Sequence, residues 1–556
     1  MATGFLLGPS PRPLPHCYAA WRGGKKRRFG RPRKYPQGTT SMTSPPLNHR
    51  TWLPKTGLLI SLLAIIGSYF VPADYPPFVG VAVITVGVYL ALLITAVWWL
   101  FFSRFPWARR IVVLAAVIAL RYALIREVDY SGDVVPRYIF RWEADRNALV
   151  EADRAKHEER GKEIRAEAGA DDYPSYRNRN LDAAATGPEL QTDWTKPPRL
   201  VWKQPVGGGY AAFAVAGDIA VTIEQRRDSE VVAAYDFSTG QELWTHSWKA
   251  RQFDEMGGEG PMATPAIDQG RVYAMGGTGK FLCLDVKTGK PFWEKDLLLN
   301  NANLQWGMSA SPLIYQNLVI VNPGEQKKKQ LDRAIRAFDK ITGDPVWSTG
   351  NSPAGYCSPM VVNLLGQETL VIFDGEEIAG YQPTDGKKLW QLPWGTNQGV
   401  NVAQPIPLGQ DKLFLSSSYG KGCGLIQLKK EGEHFIASEV WHNFYLRCRF
   451  TSPLLIDQHI YGLDEGALVC LDPATGRRAW KGDRYGQGQL LRQGNLLLIQ
   501  AENGDLALVE ASPAAFKQVA RFKALSGKKT WNCPALARGF AFVRNHHEMA
   551  CYDLRK

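Results

Sequence analysis

The sequence lacks the patterns by which several classes of enzyme are recognised. It contains no Gly-rich phosphate-binding loop, no nucleophile elbow and no cysteines or histidines at the spacing of a zinc site. These absences argue against a nucleotide-binding enzyme, a serine hydrolase and a zinc-stabilised protein. Acidic residues are also missing from the first 50 positions, where the chain is rich in Pro, Gly and Arg.

The net charge of +13 is concentrated in that N-terminal tail. Residues 1–50 contain ten Lys or Arg residues, so the rest of the chain carries only +3. We expect this tail to be disordered. A basic run such as Lys25–Lys34 can indicate binding to nucleic acid or anionic lipid. We favour two simpler explanations, the cytoplasmic flank of a membrane anchor or a translation start at Met42, and predict no nucleic-acid partner.

Residues 51–126 predict a transmembrane region of two or three helices. The apolar run Phe78–Phe102 is long enough to cross a bilayer, and Gly57–Val71 is a shorter candidate. A third run, Ile111–Ile125, contains Arg121, so it suits either a span or an amphipathic surface helix.

Charge asymmetry predicts the orientation of this region. The link after the second run contains Arg104, Arg109 and Arg110, whereas the link before it carries only Asp74. The positive-inside rule therefore places the N-terminus and the Arg-rich link in the cytoplasm. With three spans, the remainder of the chain lies outside the cytoplasmic membrane; with two, it stays inside. The residues that follow, 127–192, predict a charged linker or stalk.

A motif recurs through the C-terminal part of the chain. Each copy has an apolar strand, a polar turn that ends in Gly, and a second strand closed by Trp, which is typical of a β-hairpin. The copies are AYDFSTGQELW (Ala234–Trp244), CLDVKTGKPFW (Cys283–Trp293), AFDKITGDPVW (Ala337–Trp347), GYQPTDGKKLW (Gly380–Trp390) and CLDPATGRRAW (Cys470–Trp480). Degenerate copies occupy Leu425–Trp441 and Leu506–Phe522.

The spacing of the turn glycines predicts an all-β propeller of eight blades. Periods of roughly 40 to 50 residues are typical of four-stranded propeller blades. The C-terminal strand Ala550–Lys556 has no partner after it, and Leu200–Val206 is a Trp-bearing strand with no hairpin before it. We expect these two strands to complete one blade and close the ring over residues 193–556, which leaves only short sheet edges.

The motif Ala/Cys-x-Asp-x-x-Thr-Gly-x-x-x-Trp resembles the tryptophan-docking motif of propellers with pyrroloquinoline-quinone (PQQ) repeats. That superfamily includes quinoprotein alcohol and glucose dehydrogenases and also cofactor-free scaffolds of the BamB type. The resemblance implies that the closing tryptophans pack against neighbouring blades. These docking residues are Trp202, Trp244, Trp293, Trp347, Trp390, Trp441 and Trp480.

The resemblance raises PQQ and calcium as possible cofactors without establishing either. Quinoprotein alcohol dehydrogenases typically have two adjacent cysteines beside the cofactor, and this chain has no Cys-Cys pair. Their calcium ligands and catalytic Asp have no matching positions here. We therefore predict no catalytic residue and no metal ligand, and the residues of a cofactor site are unknown.

A second repeat marks the start of each innermost strand. It has a small or polar residue before Pro, as in ATPAI at Ala263, ASPLI at Ala310 and CSPMV at Cys357. Residues just upstream of these strands are expected to converge around the central channel. The candidate ligand- or partner-binding residues at this mouth are Asn303, Trp306, Tyr356, Asn401, Arg447, Arg449 and Trp531.

The expected function is a ligand- or protein-binding platform in the bacterial cell envelope, anchored in the inner membrane with the propeller on the periplasmic side. Its expected partners are the lipid bilayer and an envelope protein or small ligand. The alternative is a PQQ-dependent alcohol or sugar dehydrogenase that passes electrons to membrane quinone. The alternative to ligand binding at the mouth is that these side chains only fill the channel.

Overall fold

The computed structural model describes residues 52–69, 78–130, 135–155, 164–254, 257–298, 306–325, 332–432, 434–527 and 529–556. The basic tail 1–50 and the candidate Asn303 lie outside these residues. Within the described ranges, four helices precede the propeller: α1 (Trp52–Tyr69), α2 (Phe78–Phe102), α3 (Trp107–Leu124) and α4 (Arg146–Arg154). A hairpin of strands Ile125–Tyr130 and Pro136–Phe140, here called the linker hairpin, lies between α3 and α4.

Eight sheets of antiparallel strands form the predicted propeller. The first strands of neighbouring blades contact one another around the axis, so each blade runs outward from its first strand. The strands, from innermost to outermost, are Ala214–Ala216, Ile219–Arg226, Ser229–Asp236 and Glu242–Lys249 in blade 1; Ala266–Asp268, Arg271–Met275, Lys280–Asp285 and Pro291–Asp296 in blade 2; Leu313–Tyr315, Leu318–Val321, Ile335–Asp339 and Pro345–Thr349 in blade 3; Met360–Leu364, Gln367–Phe373, Glu377–Tyr381 and Lys388–Pro393 in blade 4; Ile406–Leu408, Lys412–Ser417, Gly422–Glu431 and His434–Asn443 in blade 5; Leu454–Ile456, His459–Asp464, Ala467–Leu471 and Arg478–Arg484 in blade 6; Gln489–Gln493, Leu496–Gln500, Asp505–Glu510 and Lys517–Lys523 in blade 7; and Ala535–Ala537, Phe540–Arg544, Glu548–Asp553 and Arg199–Pro205 in blade 8.

Strands from both ends of the domain close the ring, as predicted. The C-terminal strand Glu548–Asp553 pairs antiparallel with Arg199–Pro205, and Cys551 lies opposite Trp202. Blade 8, the last blade in the sequence, therefore takes its outer strand from the start of the domain. Neither end of the domain is left as a long unpaired edge strand.

The recurring turn is held by its Asp and Gly. In blade 1, the Asp236 carboxylate accepts hydrogen bonds from the backbone N–H groups of Ser238 and Thr239, at 2.9 and 3.0 Å. The Gly240 N–H donates to the Asp236 carbonyl, and Gly240 has a φ of +71°. This positive φ explains why the turn ends in Gly.

Six of the seven recurring Trp residues contact the turn of the next blade, and the contact takes two forms; Trp390 instead packs in a hydrophobic cluster shared by blades 4 and 5. In five of the seven copies among the described residues, the indole N–H donates to a backbone carbonyl of that turn. The pairs are Trp202 with Phe237, Trp244 with Val286, Trp347 with Pro383, Trp441 with Pro473 and Trp480 with Ser512, at 2.8 to 3.1 Å. Trp293 packs against Gly343 without such a bond, because the carbonyl at the equivalent position, that of Lys340, accepts from Tyr273.

The polar residue before Pro in the second repeat links neighbouring blades around the axis. The Oγ1 of Thr264 accepts from the Ala212 N–H, the Ser311 Oγ from the Thr264 N–H, and the Ser358 Oγ from the Ser311 N–H, at 2.9 to 3.0 Å. Gln404 and Ser452 continue the series. These bonds satisfy backbone donors at the buried starts of the innermost strands, where no strand pairing is available.

One helix in the described part of the chain is long and apolar enough to cross a membrane, namely Gly80–Phe102 within α2. The shorter apolar helix Pro54–Ser68 and α3 do not reach that standard. The predicted multi-pass arrangement is therefore not supported. The Arg residues of α3 explain the difference, since they interrupt its apolar length.

The region predicted to be a stalk is more ordered than its composition suggested. Val150 of α4 is buried, and the helix is tied to blade 1 by ion pairs of Arg154 with Glu242 and of Glu151 with Arg227. A short helix can therefore dock through its charges without a broad apolar stripe.

The turn-rich segment after residue 171, part of the predicted linker, lies against the innermost strands. Tyr173 bridges Val215 of blade 1, and Ala184–Ala185 pair in parallel with the innermost strand of blade 7. The Arg177 guanidinium donates to the carbonyl of Pro453 at 3.0 Å. This segment fills the channel because Tyr and Arg side chains supply both the volume and the donors that the channel wall needs.

Candidate functional site

The channel mouth lies at the end of the propeller where connections enter the innermost strands. Trp531, which immediately precedes the innermost strand of blade 8, is its central aromatic residue. Tyr210 stacks on Trp531 with a centroid distance of 4.9 Å, and Phe450 lies at 4.6 Å. The Lys529 ammonium lies 4.9 Å from the ring centroid, a cation–π contact. The indole therefore joins blades 1, 6 and 8.

Trp306 and Tyr356 form a second aromatic pair, with centroids 5.6 Å apart. The Trp306 N–H donates to the Tyr356 hydroxyl at 3.4 Å, and the Tyr356 N–H donates to the Asn401 carbonyl at 2.7 Å. Burial raises the pKa of the Tyr356 hydroxyl above its ordinary value. This hydroxyl therefore stays protonated at neutral pH and can serve as a hydrogen-bond donor.

Asn401 differs from the other candidates because its side chain is fully buried. Its amide donates to the carbonyls of Asp374 and Trp394, at 2.7 and 3.0 Å, and its oxygen accepts from the Ser417 hydroxyl. With its donors and acceptor used inside the protein, Asn401 holds the loop between blades 4 and 5.

The two arginines expected at the mouth both belong to buried ion pairs. Arg447 contacts Asp464 at 2.8 Å, and Arg449 contacts Glu465 at 2.5 Å. Glu465 also accepts from the Ser418 hydroxyl. These carboxylates explain how guanidinium groups are tolerated here, since a buried charge is costly unless it is paired. Their acidic partners are consecutive residues of one turn in blade 6.

Sequence patterns did not indicate several residues that the fold brings to the mouth. Tyr210 leads into blade 1, Glu502 lies in a turn of blade 7, and Lys529 and His546 both belong to blade 8. Glu502 accepts from the Trp531 indole at 3.0 Å. Burial, followed by the charge of Lys529, lowers the pKa of His546 well below its ordinary value. The imidazole is therefore neutral at pH 7. The sequence feature that could have identified them is their position between strands, because these residues lie in connections at the same end of their blades.

The linker hairpin and the residues around α4 cover part of the mouth. Asp129 of the hairpin contacts Lys529 at 2.6 Å, and the Lys529 side chain is only 6% exposed. Arg146, the first residue of α4, forms an ion pair with Glu259. Both pairs connect the segment after α3 to the same end of the propeller.

Comparisons with known proteins agree with the repeat pattern. Residues 227–482 match the family model described as outer membrane protein assembly factor BamB. These repeats are of the PQQ-like type. BamB of Burkholderia pseudomallei (strain K96243) is 24% identical over 273 residues, covering 40% of this chain and 67% of that protein.

The PQQ-like repeats are also similar to those of dehydrogenases. Quinoprotein alcohol dehydrogenase PedH of Pseudomonas putida (strain KT2440) is 30% identical over 152 residues, which cover 25% of this chain and 24% of PedH. The match thus spans about a quarter of that enzyme. The solved structure of quinohemoprotein alcohol dehydrogenase ADHIIG from Pseudomonas putida HK5 aligns with a TM-score of 0.50 at 11% identity, over 71% of this chain and 83% of that chain. At this identity the likeness shows the fold alone.

The residues at the mouth of this PQQ-like propeller do not fit a quinone cofactor with a divalent metal. Among the described residues, no group of three or more His, Cys, Asp or Glu side chains is arranged to hold a metal ion. Tyr210, Phe450 and the Lys529 ammonium already surround the Trp531 ring. The Trp531 ring is therefore already covered by side chains of the protein itself.

Proposed function

We propose that this protein is a membrane-anchored binding platform of the bacterial cell envelope, without catalysis of its own. The observation that carries the proposal is the pairing of carboxylates at the channel mouth. Glu465 is paired with Arg449, Glu259 with Arg146, and Asp129 with Lys529.

Carboxylates that are committed to cations are poor general bases and poor metal ligands, because an opposite charge stabilises the ionised form and occupies its lone pairs. Two of these three pairs join the propeller to the linker. The mouth therefore binds the linker and holds the propeller in place relative to the membrane anchor. The outer surfaces of the blades stay available to partners.

The platform faces the periplasm in this proposal. With α2 as the single span, the basic tail and the Arg-rich link that contains Arg104, Arg109 and Arg110 fall on opposite sides of the membrane, so the positive-inside rule does not decide the orientation. The proposal keeps the tail, with its ten cations and no acidic residue, in the cytoplasm and therefore places the propeller on the outer side. A fusion of alkaline phosphatase after Lys556 tests this orientation, since the enzyme folds only in an oxidising compartment. We expect an active fusion. An inactive fusion, matched by an active cytoplasmic reporter at the same position, would reverse the orientation.

The second candidate is a quinoprotein dehydrogenase that passes electrons from an alcohol or sugar to membrane quinone. The 30% identity to PedH over 152 residues favours it. Attachment to a bilayer also suits electron transfer to a membrane quinone.

One experiment separates the two functions. The full-length protein in detergent is titrated with PQQ and Ca²⁺, with calorimetry and absorbance as readouts, and is then assayed for dye-linked oxidation of alcohols and sugars. The platform predicts neither one-to-one binding nor substrate-dependent dye reduction. Both together, at one cofactor per chain, would make the protein a dehydrogenase.

A further inference from the structure

A cleft of about 680 Å³ lies between the outer strands of blades 2 and 3. One wall is formed by Lys295–Leu297 at the end of the outer strand of blade 2, and the other by Pro345–Ser348 of blade 3. Ligand sites commonly have volumes of roughly 300 to 1,000 Å³, so this cleft has the size of a binding site. It lies at the outside of the propeller, whereas the channel mouth lies at the innermost strands.

Three cations line the cleft: Lys295, Arg333 and Arg336. Arg336 and Phe338 are two residues apart on one strand, so both side chains point to the same face. The Lys295 ammonium lies 5.4 Å from the Phe338 ring centroid, which shows that this face looks toward blade 2. Arg336 Nε donates to the Arg333 backbone carbonyl at 3.0 Å, and the Arg333 charge acts on the Arg336 guanidinium.

One of these cations has a donor without a partner. The Nε of Arg333 is buried and has no hydrogen-bond partner within the described ranges. Burial, and then the charge of Arg333, lowers the pKa of Arg336 from its ordinary value. Among the described lining residues, Asp296 is the one carboxylate, and it accepts from the Leu298 N–H at 3.2 Å; Glu325 acts on Arg336 from within blade 3. The cations thus exceed the carboxylates.

The cleft also has an apolar component. Phe338 contributes ring surface, and Val346, on the outer strand of blade 3, is 51% exposed. The surface therefore suits a ligand that carries both anionic and apolar groups, because each part finds a complementary contact.

We propose that this cleft binds an extended acidic peptide segment of a partner protein, with an apolar side chain between its carboxylates. The proposal rests on the platform function above. Consecutive residues of the outermost strands form most of both walls, with Leu297 just beyond the end of its strand, so the walls repeat with the two-residue period of an extended peptide. Arginine guanidinium groups bind carboxylates through paired hydrogen bonds.

The test uses the full-length protein in detergent and a fluorescein-labelled peptide of four Glu-Leu repeats, followed by fluorescence anisotropy. We expect saturable binding that weakens at least tenfold in the double variant Arg333→Gln with Arg336→Gln. The matched control, Lys429→Gln with Lys430→Gln, removes the same charge from an exposed hairpin of blade 5 and is expected to change affinity less than twofold.

A second variant guards against misfolding of the first. Val346→Glu keeps all three cations but adds a carboxylate at an exposed position, and it is expected to weaken binding at least fivefold. A peptide of four Gln-Leu repeats should bind at least tenfold more weakly than the acidic peptide. Equal affinity of the two peptides would overturn the proposal. So would an equal loss of affinity in the cleft double variant and in the control double variant.

Competition distinguishes a peptide from a small anion. Inorganic phosphate at millimolar concentration is expected to leave most of the peptide bound, whereas full displacement would identify the site as one for small anions and overturn the peptide proposal. Dye-linked oxidation with PQQ would refute the platform function itself. Absence of both oxidation and peptide binding would leave the platform intact and refute only the cleft.

Discussion

The indole N–H of Trp244 in blade 1 donates a hydrogen bond to the carbonyl of Val286 in blade 2, at 2.9 Å. The same ring packs on Gly289, which has a φ of +69°. The Trp244 side chain thus depends on two features of the neighbouring turn: a backbone carbonyl that accepts its N–H, and the absence of a Cβ at Gly289. This relationship explains why Gly and Trp recur together along the chain.

We expect Trp244→Phe to lower the free energy of unfolding by about 1 kcal/mol more than Trp293→Phe. Both variants lose part of an aromatic ring, but only Trp244 loses an indole bond, since Trp293 Nε1 has no partner within the described residues. Urea unfolding of the full-length protein in detergent measures the difference. Equal losses in the two variants would show that the hydrogen bond adds nothing to docking.

Gly289→Ala is expected to destabilise the protein more than Gly270→Ala, by about 1 to 3 kcal/mol in urea unfolding. Both glycines belong to blade 2 and have φ values near +70°, namely +69° and +75°. A Cβ at Gly289 would collide with the Trp244 ring, whereas one at Gly270 would meet open space. The control therefore isolates the packing term from backbone strain, and equal losses would contradict close docking.

Ser311→Ala is expected to lower the free energy of unfolding by about 1 to 3 kcal/mol, because it leaves the buried Thr264 N–H without its acceptor. Ser247, which is exposed on the outer strand of blade 1, provides the matched control, and Ser247→Ala should change stability by less than about 0.5 kcal/mol. Equal effects would mean that water replaces the Ser311 hydroxyl at the axis.

Glu230 makes stability depend on pH. Burial raises the pKa of its carboxyl from 4.5 to about 7 in the folded protein. Between these values the native state holds a proton that the unfolded chain releases, so the contribution of Glu230 to stability is complete below pH 4.5 and falls as the pH rises to 7. Glu230→Gln removes this loss.

The variant is therefore expected to gain up to roughly 3 kcal/mol on the wild type between pH 4.5 and pH 8. Urea unfolding of both proteins at several pH values measures that difference, and other titrating groups cancel. A difference that does not change with pH would show that the carboxylate stays ionised in the folded state.

The Lys529–Asp129 pair is expected to couple more strongly than Arg227–Glu151. A double-mutant cycle with alanine variants of each pair measures the coupling at low and high salt. The first pair is largely buried, so its coupling should persist at 1 M NaCl, whereas the second is exposed and screened. Equal salt sensitivity would argue that the linker hairpin does not dock on the propeller.

The sequence by itself determined the number and order of the blades. Gly240 and Trp244 lie close together in one hairpin, so local turn chemistry repeated along the chain is enough to count the units. Closure of the ring by the strand that contains Trp202 could also be predicted from the sequence. This strand has no hairpin before it, and the C-terminal hairpin lacks an outer strand, so the two complete one blade.

Only the tertiary structure decided what surrounds the channel mouth and the outer cleft. Lys529 and Asp129 are 400 residues apart, and Lys295 and Arg336 belong to different blades. Such pairs have no fixed sequence spacing, since they depend on how connections cross the face of the propeller. The spacing of repeats predicted that Arg449 would lie near the mouth, but its pairing with Glu465 required the folded chain.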